Sequence, residues 1–303
     1  MKNVRNMAAS VHQRLLNRAR NEKRPFNELL QYYAMERFLY RLSKSPHSNA
    51  LILKGALLLR AWGVSEFRPT MDIDLLGMSG YGETRLVTRI REITKIKVEE
   101  DGLRFDPQSI RTERITEDAD YKGIRIRFRG TLGNARINMQ IDVGFGDIVY
   151  PEPQKTDLPT MLDFPAPKLL CYTRESAIAE KFQAMINLGL LNSRMKDFYD
   201  VWILCRQCDF DGSELAEAVR LTFDKRETGF PDNLEVFEEV FIKLKQVQWA
   251  AFHKHLEQDF VPASFSEIAE SIGKFLKPIN AYLKKGKGLP VRWTAPGPWS
   301  GNS

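Results

Sequence analysis

Two segments near the middle of the chain alternate strictly between apolar and polar residues, and this pattern constrains the fold most strongly. Residues 123–129 and 137–143 each place every second side chain on the same face, which is typical of a β-strand with one solvated side. An apolar run that begins at residue 50 and the segment 70–76 predict two more strands, the first followed by a glycine turn and a helix. Residues 50–150 are therefore predicted to form a mixed αβ core around a sheet.

The segments on either side of this core have different patterns. Residues 1–49 are rich in Lys and Arg, and their apolar spacing predicts basic amphipathic helices packed on the core. Their basic outer face is typical of either a solvated surface or a nucleic-acid footprint. A proline-rich connector is predicted over residues 151–167, then a helical C-terminal lobe over 168–283, and a basic flexible tail over 284–303.

Composition excludes several classes of protein. The 303 residues are 43% hydrophobic and 28% charged, which favours a folded chain with a sizeable core over a disordered one. No run approaches the roughly 18 apolar residues of a membrane span, and no secretory signal is visible. Three cysteines favour a reducing, cytoplasmic compartment over a disulfide framework. The net charge of +6 is compatible with an acidic partner.

The sharpest chemical signal is the stretch Arg-Pro-Thr-Met-Asp-Ile-Asp-Leu at residues 68–75. On a strand, Asp72 and Asp74 project side by side from one face, and two such carboxylates repel each other unless a cation lies between them. Hard oxygen ligands of this kind suit Mg²⁺ or Mn²⁺ shared with substrate phosphates. The alternative is an exposed acidic strand end without a metal.

Two further features favour the metal. Lys54 and Gly55 lie at a strand-to-helix turn, where glycine permits close backbone approach and a helix N-terminus attracts an anion. Asp142 ends an alternating strand, and it adds a third carboxylate if that strand lies beside the one with Asp72 and Asp74. Three carboxylates can hold two cations that stabilise an in-line displacement at phosphorus. The chemistry implied is nucleotidyl transfer from an NTP, with release of pyrophosphate.

The order of these features resembles the DNA polymerase β-like nucleotidyltransferases. Within them it is similar to the AbiEii/AbiGii branch, toxins of type IV toxin–antitoxin and phage abortive-infection systems. The resemblance spans about residues 10–255. It rests on the basic N-terminal helices and on the segments LILKGALLLRAWG, RPTMDIDLLG, INMQIDVGFGDIVYPEP, ESAIAEKFQAMINLGLLNSRMKDFYDVW and TFDKRETGFP.

This resemblance implies an α+β fold, with a polymerase β-like sheet lobe, a mainly helical C-terminal lobe, and the NTP and metals in the cleft. It implies an enzyme that uses Mg²⁺, with two ions expected and Mn²⁺ as a substitute. The implied acceptor is RNA, most simply the 3′-terminal hydroxyl of tRNA, so that translation stops. The implied partner is a cognate antitoxin encoded nearby, with or without a stable complex.

The resemblance also implies roles for individual residues. Asp72 and Asp74 match the catalytic metal-binding pair, and Asp142 matches the third metal ligand. Ala56 departs from the family, which usually has a second Gly or a Ser there. The residues matched to nucleotide binding are Lys54, Gly55, Arg68, Thr70, Lys181, Arg194 and Lys196.

Lys181 is expected on the first C-terminal helix, where it reaches the phosphates of the nucleotide. Asp197 and Asp200 lie in the same charged segment as Arg194 and Lys196, and either one is expected to orient Lys181 or to accept the proton of the attacking hydroxyl. The residues alone allow a simpler reading, in which spacings of three and four on a helix give surface ion pairs.

Other functions stay open at this point. A small-molecule nucleotidyltransferase of the antibiotic-modifying type, or an enzyme that modifies a protein hydroxyl, would carry the same aspartates. A catalytically dead RNA-binding module is the non-enzyme alternative. An acidic cleft would favour a cationic small molecule, and a basic one would favour RNA. The alternation of Arg125, Arg127 and Arg129 fits either a solvated sheet face or an RNA-contacting stripe.

Overall fold

The structure is a computed structural model that describes residues 6–64, 68–78, 82–117, 121–256 and 258–302. The chain separates into two compact units. The first unit comprises Met1–Ala61, Pro69–Gly146 and Gln154–Cys171, and the second comprises Trp62–Arg68, Asp147–Pro153 and Tyr172–Ser303.

A seven-stranded mixed sheet forms the framework of the first unit, with the order β3-β4-β5-β2-β1-β7-β6. The strands are β1 (Leu51–Lys54), β2 (Ile73–Gly77), β3 (Leu103–Glu117), β4 (Tyr121–Leu132), β5 (Ala135–Phe145), β6 (Gln154–Asp157) and β7 (Lys168–Cys171). Neighbouring strands pair antiparallel except for β2 with β5 and β1 with β7. The predicted combination of a sheet with helices is confirmed, although β6 lies inside the segment predicted as a connector.

In the described part of the first unit, four helices accompany this sheet: α1 (Met7–Glu22), α2 (Phe26–Lys44), α3 (Leu57–Ala61) and α4 (Glu83–Thr94). Helix α1 is amphipathic and buries Val11, Leu15 and Ala19. Helix α2 is different because every residue from Leu29 to Leu42 is buried.

The basic outer face expected for the N-terminal helices is therefore wrong for α2. Its Arg37 and Arg41 point into the first unit, where both form ion pairs with Asp101, at 3.1 Å and 2.7 Å. Arg41 also donates a second hydrogen bond to the other oxygen of the same carboxylate, at 3.0 Å. Burial of a charge is tolerated when it is paired in this way, so these arginines serve packing within the unit.

The second unit is mainly helical. Its elements are α5 (Arg174–Leu188), α6 (Met195–Gln207), α7 (Gly212–Lys225), α8 (Glu239–Leu256) and α9 (Phe265–Lys285), with a small sheet of β8 (Phe210–Asp211), β9 (Pro290–Trp293) and β10 (Trp299–Asn302). Among the residues that the structure describes, no helix is long and apolar enough to cross a membrane.

The C-terminal segment differs from the flexible tail expected beyond residue 284. Strands β9 and β10 pair with each other, and β9 also pairs with β8. Trp293 is buried and packs edge to face on Phe275, with 4.9 Å between the ring centroids. Trp299 stacks on the same Phe275 ring, with 5.5 Å between the centroids. The two tryptophans supply the apolar area that orders this segment, although its overall composition is polar.

Candidate active site

Strand register brings the predicted carboxylates of the first unit together. Strand β2 runs parallel to β5 with Asp74 level with Asp142, and antiparallel to β1 with Asp74 level with Lys54. Side chains of residues that lie level on adjacent strands share one face of the sheet. The condition stated from the sequence, that the strand of Asp142 lies beside the strand of Asp74, is met.

The resulting cluster consists of Asp72, Asp74 and Asp142, each half-buried, with one carboxylate oxygen from each residue within 4.8 Å of the others. Divalent cations bind oxygen ligands at about 2.0–2.6 Å, so oxygens separated by up to about twice that distance can share one ion. The donor set also consists of carboxylates alone, which suits Mg²⁺ or Mn²⁺ rather than zinc. The residues present therefore fit a divalent metal.

Helix α2 fixes the loop that carries the first aspartate. The Tyr32 hydroxyl accepts a hydrogen bond from the backbone N–H of Thr70 at 3.2 Å. The Gln31 side-chain amide donates to the carbonyls of Met71 and Asn138, each at 3.1 Å. Thr70 is itself buried, and its hydroxyl donates to the Asp72 carboxylate at 2.8 Å. The buried helix α2 thus holds the loop at residues 70 and 71, and Thr70 in that loop orients the Asp72 carboxylate.

Gly55 lies against the second aspartate. Its φ of +79° is in the left-handed region, which side chains other than glycine rarely occupy. A Cβ atom at this position would lie 2.1 Å from Oδ2 of Asp74. The Lys54-Gly55 turn predicted from the sequence therefore adjoins the carboxylate cluster, and glycine is needed there both for its backbone conformation and for space.

Arg125 joins the cluster from β4, where it lies level with Asp142. Its Nε and Nη2 donate to the two oxygens of Asp142 at 2.9 Å and 2.8 Å. These hydrogen bonds outweigh the cost of partial burial and raise the pKa of the Arg125 guanidinium. Sequence reasoning noticed Arg125 only as part of the basic alternation and missed this contact, which depends on the β4–β5 register.

A cavity of about 590 Å³ opens on the first unit beside Asp72. It is lined by residues of β3, β4 and β5 and of the loop before β2, which are Met71, Asp72, Ser109, Arg111, Arg127, Phe128, Arg129, Asn138, Met139 and Gln140. Three arginines and one carboxylate make this lining basic.

The second unit contains a separate charged cluster around Lys181 of α5. The Lys181 Nζ atom lies 2.9 Å from Oδ1 of Asp197 and 2.8 Å from Oδ2 of Asp200, both on α6. Arg194 forms an ion pair with Asp197 at 2.7 Å, and Arg68 forms one with Asp200 at 2.6 Å. Five of the predicted site residues therefore form one ion-pair network.

This network is buried, so the interpretation of the segment as surface ion pairs is wrong. Asp197 and Asp200 are each only 1% exposed, because α6 turns both aspartates towards α5. Lys196, in the first turn of the same helix, is exposed. Burial alone would raise the pKa of the Asp197 carboxyl, but the positive charges of Lys181 and Arg194 lower it to about 2. The same two aspartates raise the pKa of Lys181 against the effect of its own burial.

Comparisons with known proteins add the following findings. The family model for the nucleotidyl transferase AbiEii toxin of type IV toxin–antitoxin systems matches residues 37–271. The crystal structure of a proposed nucleotidyltransferase from Helicobacter pylori is similar in fold, with a TM-score of 0.50 and 16% identity, covering 86% of this chain and 97% of that one. For JHP933 from Helicobacter pylori the TM-score is 0.46, with 15% identity over 82% of this chain and 90% of that one. The comparison with curated proteins found no match.

Proposed function

Because the chain belongs to the AbiEii family of nucleotidyltransferase toxins of type IV toxin–antitoxin systems, we propose that it transfers a nucleoside monophosphate to RNA. The proposed acceptor is the 3′-terminal hydroxyl of a tRNA. That hydroxyl oxygen forms a bond to the α-phosphorus of an NTP and releases its proton to water, the bond between the α-phosphorus and the α–β bridging oxygen breaks, and pyrophosphate leaves. A tRNA extended or capped in this way cannot be aminoacylated, so translation stops.

The observation that carries this proposal is the cluster of three carboxylates on neighbouring strands. Asp72, Asp74 and Asp142 would hold Mg²⁺, which supplies charge stabilisation to the phosphates of the NTP when bound. The chain's own residues keep this cluster in place, since Thr70 fixes Asp72 and Arg125 fixes Asp142. The proposed function of Lys54 and Gly55 is to receive the triphosphate beside Asp74.

The buried network in the second unit favours orientation over proton transfer. Asp197 is a weak proton acceptor because the pKa of its carboxyl is lowered to about 2. Asp200 is buried and shares its oxygens with Lys181 and Arg68. We therefore assign both aspartates the role of holding Lys181. Contact of Lys181, Arg68, Arg194 and Lys196 with nucleotide phosphates stays a prediction.

The charge of the cavity beside Asp72 supports RNA as the acceptor. A cationic small molecule would be repelled by Arg111, Arg127 and Arg129, whereas phosphates would be attracted. The family also implies a cognate antitoxin as the genetic partner. We propose that the enzyme works in the cytoplasm and is counteracted by this antitoxin, with or without a stable complex.

The proposed function is tested with purified protein, Mg²⁺, total tRNA and each of the four α-labelled NTPs separately. We expect label in the tRNA band with at least one NTP, and loss of that label when EDTA removes the metal. Label only in the protein band, or only in added small molecules such as aminoglycosides, would contradict RNA as the acceptor. Products are resolved by size, and the labelled tRNA is digested to find the modified end.

A further inference from the structure

We propose that the solvated face of β3, β4 and β5 binds the phosphate backbone of the acceptor RNA, with Arg111, Arg127 and Arg129 as the contacting residues. This inference rests on the proposed function, because it names the path by which the acceptor strand approaches the carboxylate cluster. The position, spacing and charge of these arginines indicate an RNA strand as the occupant.

These arginines share one face of the sheet with the candidate active site. Arg127 lies level with Arg111 on β3 and with Gln140 on β5, and Arg129 lies level with Asn138. The same face carries the Arg125–Asp142 pair one step further along β4. The cavity beside Asp72 is also lined by Arg111, Arg127 and Arg129, so the basic face and the Asp72 carboxylate border one continuous space.

The arginines extend along β4 away from the carboxylate cluster, farther than contact with the phosphates of a bound NTP requires. A strand rises about 3.3 Å per residue, so Arg125 and Arg129 are about 13 Å apart along β4. Arg125 is already bound to Asp142 at the cluster. Arg127 and Arg129 therefore lie progressively farther from the reacting centre. At these positions they contact phosphates of the acceptor strand.

The guanidinium groups of these residues are available for phosphate. The side chain of Arg127 is 54% exposed and pairs with Glu113 at 2.8 Å, and that of Arg129 is 69% exposed and pairs with Asp106 at 3.2 Å. Ion pairs as exposed as these contribute little stability and are easily exchanged for another anion. Arg111 donates to the backbone carbonyls of Gln108 and Ile110.

The chemistry of the face also matches a nucleic acid more closely than a protein partner. Arginine binds phosphate with two parallel hydrogen bonds, and Ser109, Asn138 and Gln140 add polar side chains to the same cavity lining. Most hydrogen bonds from proteins to nucleic acids go to phosphate and sugar groups, and they come from residues of these types. The arrangement therefore fits the backbone of a strand and does not depend on its base sequence.

The test replaces Arg127 and Arg129 together by Gln and measures transfer of α-labelled nucleotide to tRNA. We expect the KM for tRNA to rise about 10- to 100-fold, with the KM for NTP within about twofold of wild type. Each lost phosphate contact should also reduce the slope of log KM against log salt by about 0.7 to 0.9. The Glu113→Gln variant should shift the KM for tRNA the other way, because it removes the competing carboxylate of Arg127.

The matched control is the double variant Arg220→Gln and Lys243→Gln. It also removes two exposed, ion-paired cations, from α7 and α8, and we expect its KM for tRNA to stay within twofold of wild type. If the KM for tRNA of the Arg127/Arg129 variant is no higher than that of this control, the inference is overturned. The proposed function stands in that case, because the tRNA is still labelled. If wild-type protein labels no RNA, both the proposed function and the inference are overturned.

Discussion

Replacing Asp74 by Asn lowers nucleotidyl transfer at least about 1,000-fold and leaves the protein folded. Asp74 lies level with Asp142 on one side and with Lys54 on the other, and its Oδ2 atom is directly beside Gly55. Asn preserves the size of the side chain but removes the charge that a divalent ion needs. A loss of about 1,000-fold corresponds to about 4 kcal/mol of transition-state stabilisation, which is within the range that a metal site supplies.

The measurement is the single-turnover rate of α-label transfer, together with the thermal unfolding midpoint. The matched control is Asp157→Asn, which changes an exposed aspartate on β6 of the same sheet and should leave both quantities unchanged. Transfer by Asp74→Asn at more than about a tenth of the wild-type rate would show that the carboxylate cluster is not the reacting centre.

The largest effect on stability is expected for Lys181→Met. This change leaves Asp197 and Asp200 buried side by side, each with one remaining arginine partner. Removing one member of a buried ion network typically lowers the free energy of unfolding by about 3–5 kcal/mol, and we expect a loss of about 3 kcal/mol at pH 7. Lys243→Met, which breaks an exposed ion pair with Glu239 on α8, should leave the free energy of unfolding nearly unchanged.

The loss of unfolding free energy in Lys181→Met should depend on pH in a defined direction. In the wild-type protein the folded pKa of Asp197, about 2, is below its ordinary value of 3.8, so its stabilising contribution is complete above pH 4 and is lost as the pH falls from 4 to 2. Without Lys181, a proton on one aspartate relieves repulsion, so the deficit of the variant should shrink towards low pH.

Urea unfolding at pH 7 and pH 4 measures this difference. Adding Asp197→Asn to Lys181→Met should restore about 1–2 kcal/mol at pH 7, because it removes the repulsion between the two adjacent carboxylates. An additive second loss in the double variant would contradict the account of the network as a set of mutually compensating charges.

The part of the candidate site that depends on local periodicity was predictable from the sequence. The two-residue spacing of Asp72 and Asp74 on a strand is a local property, and it led directly to the pair. The position of Asp142 depends on which strand lies beside β2, and the contact of Arg125 depends on the β4–β5 register. Pairing between strands is a non-local property. The position of Asp142 was therefore predicted only on the condition that its strand lies beside β2, and the contact of Arg125 was not predicted.

Charged residues on helices were the main source of error. The N-terminal helices were predicted to carry a basic outer face, and the α6 segment could be read as surface ion pairs, yet Arg37, Arg41, Asp197 and Asp200 are all buried. Their partners are distant in sequence: Asp101 for the arginines and Lys181 for the aspartates. Helical periodicity identifies a face, but it does not tell whether a charged face meets water or a complementary charge.

Short strands were the other element that sequence reasoning missed. Strands β6 and β7 have four residues each, too few for an alternating pattern to stand out, and prolines surround β6. Strands β9 and β10 are equally short, and each is held in place by a single tryptophan. Their order comes from tertiary packing, which intrinsic strand propensity does not encode.

The central claim is that the three carboxylates catalyse transfer at the α-phosphorus of an NTP. The most direct measurement compares α-labelled and γ-labelled forms of the preferred NTP in parallel reactions with Mg²⁺ and tRNA. We expect the α-label to enter the tRNA and the γ-label to appear in pyrophosphate, and we expect neither with Asp74→Asn. Transfer of the γ-label to the tRNA, or α-labelling that survives Asp74→Asn, would contradict this claim.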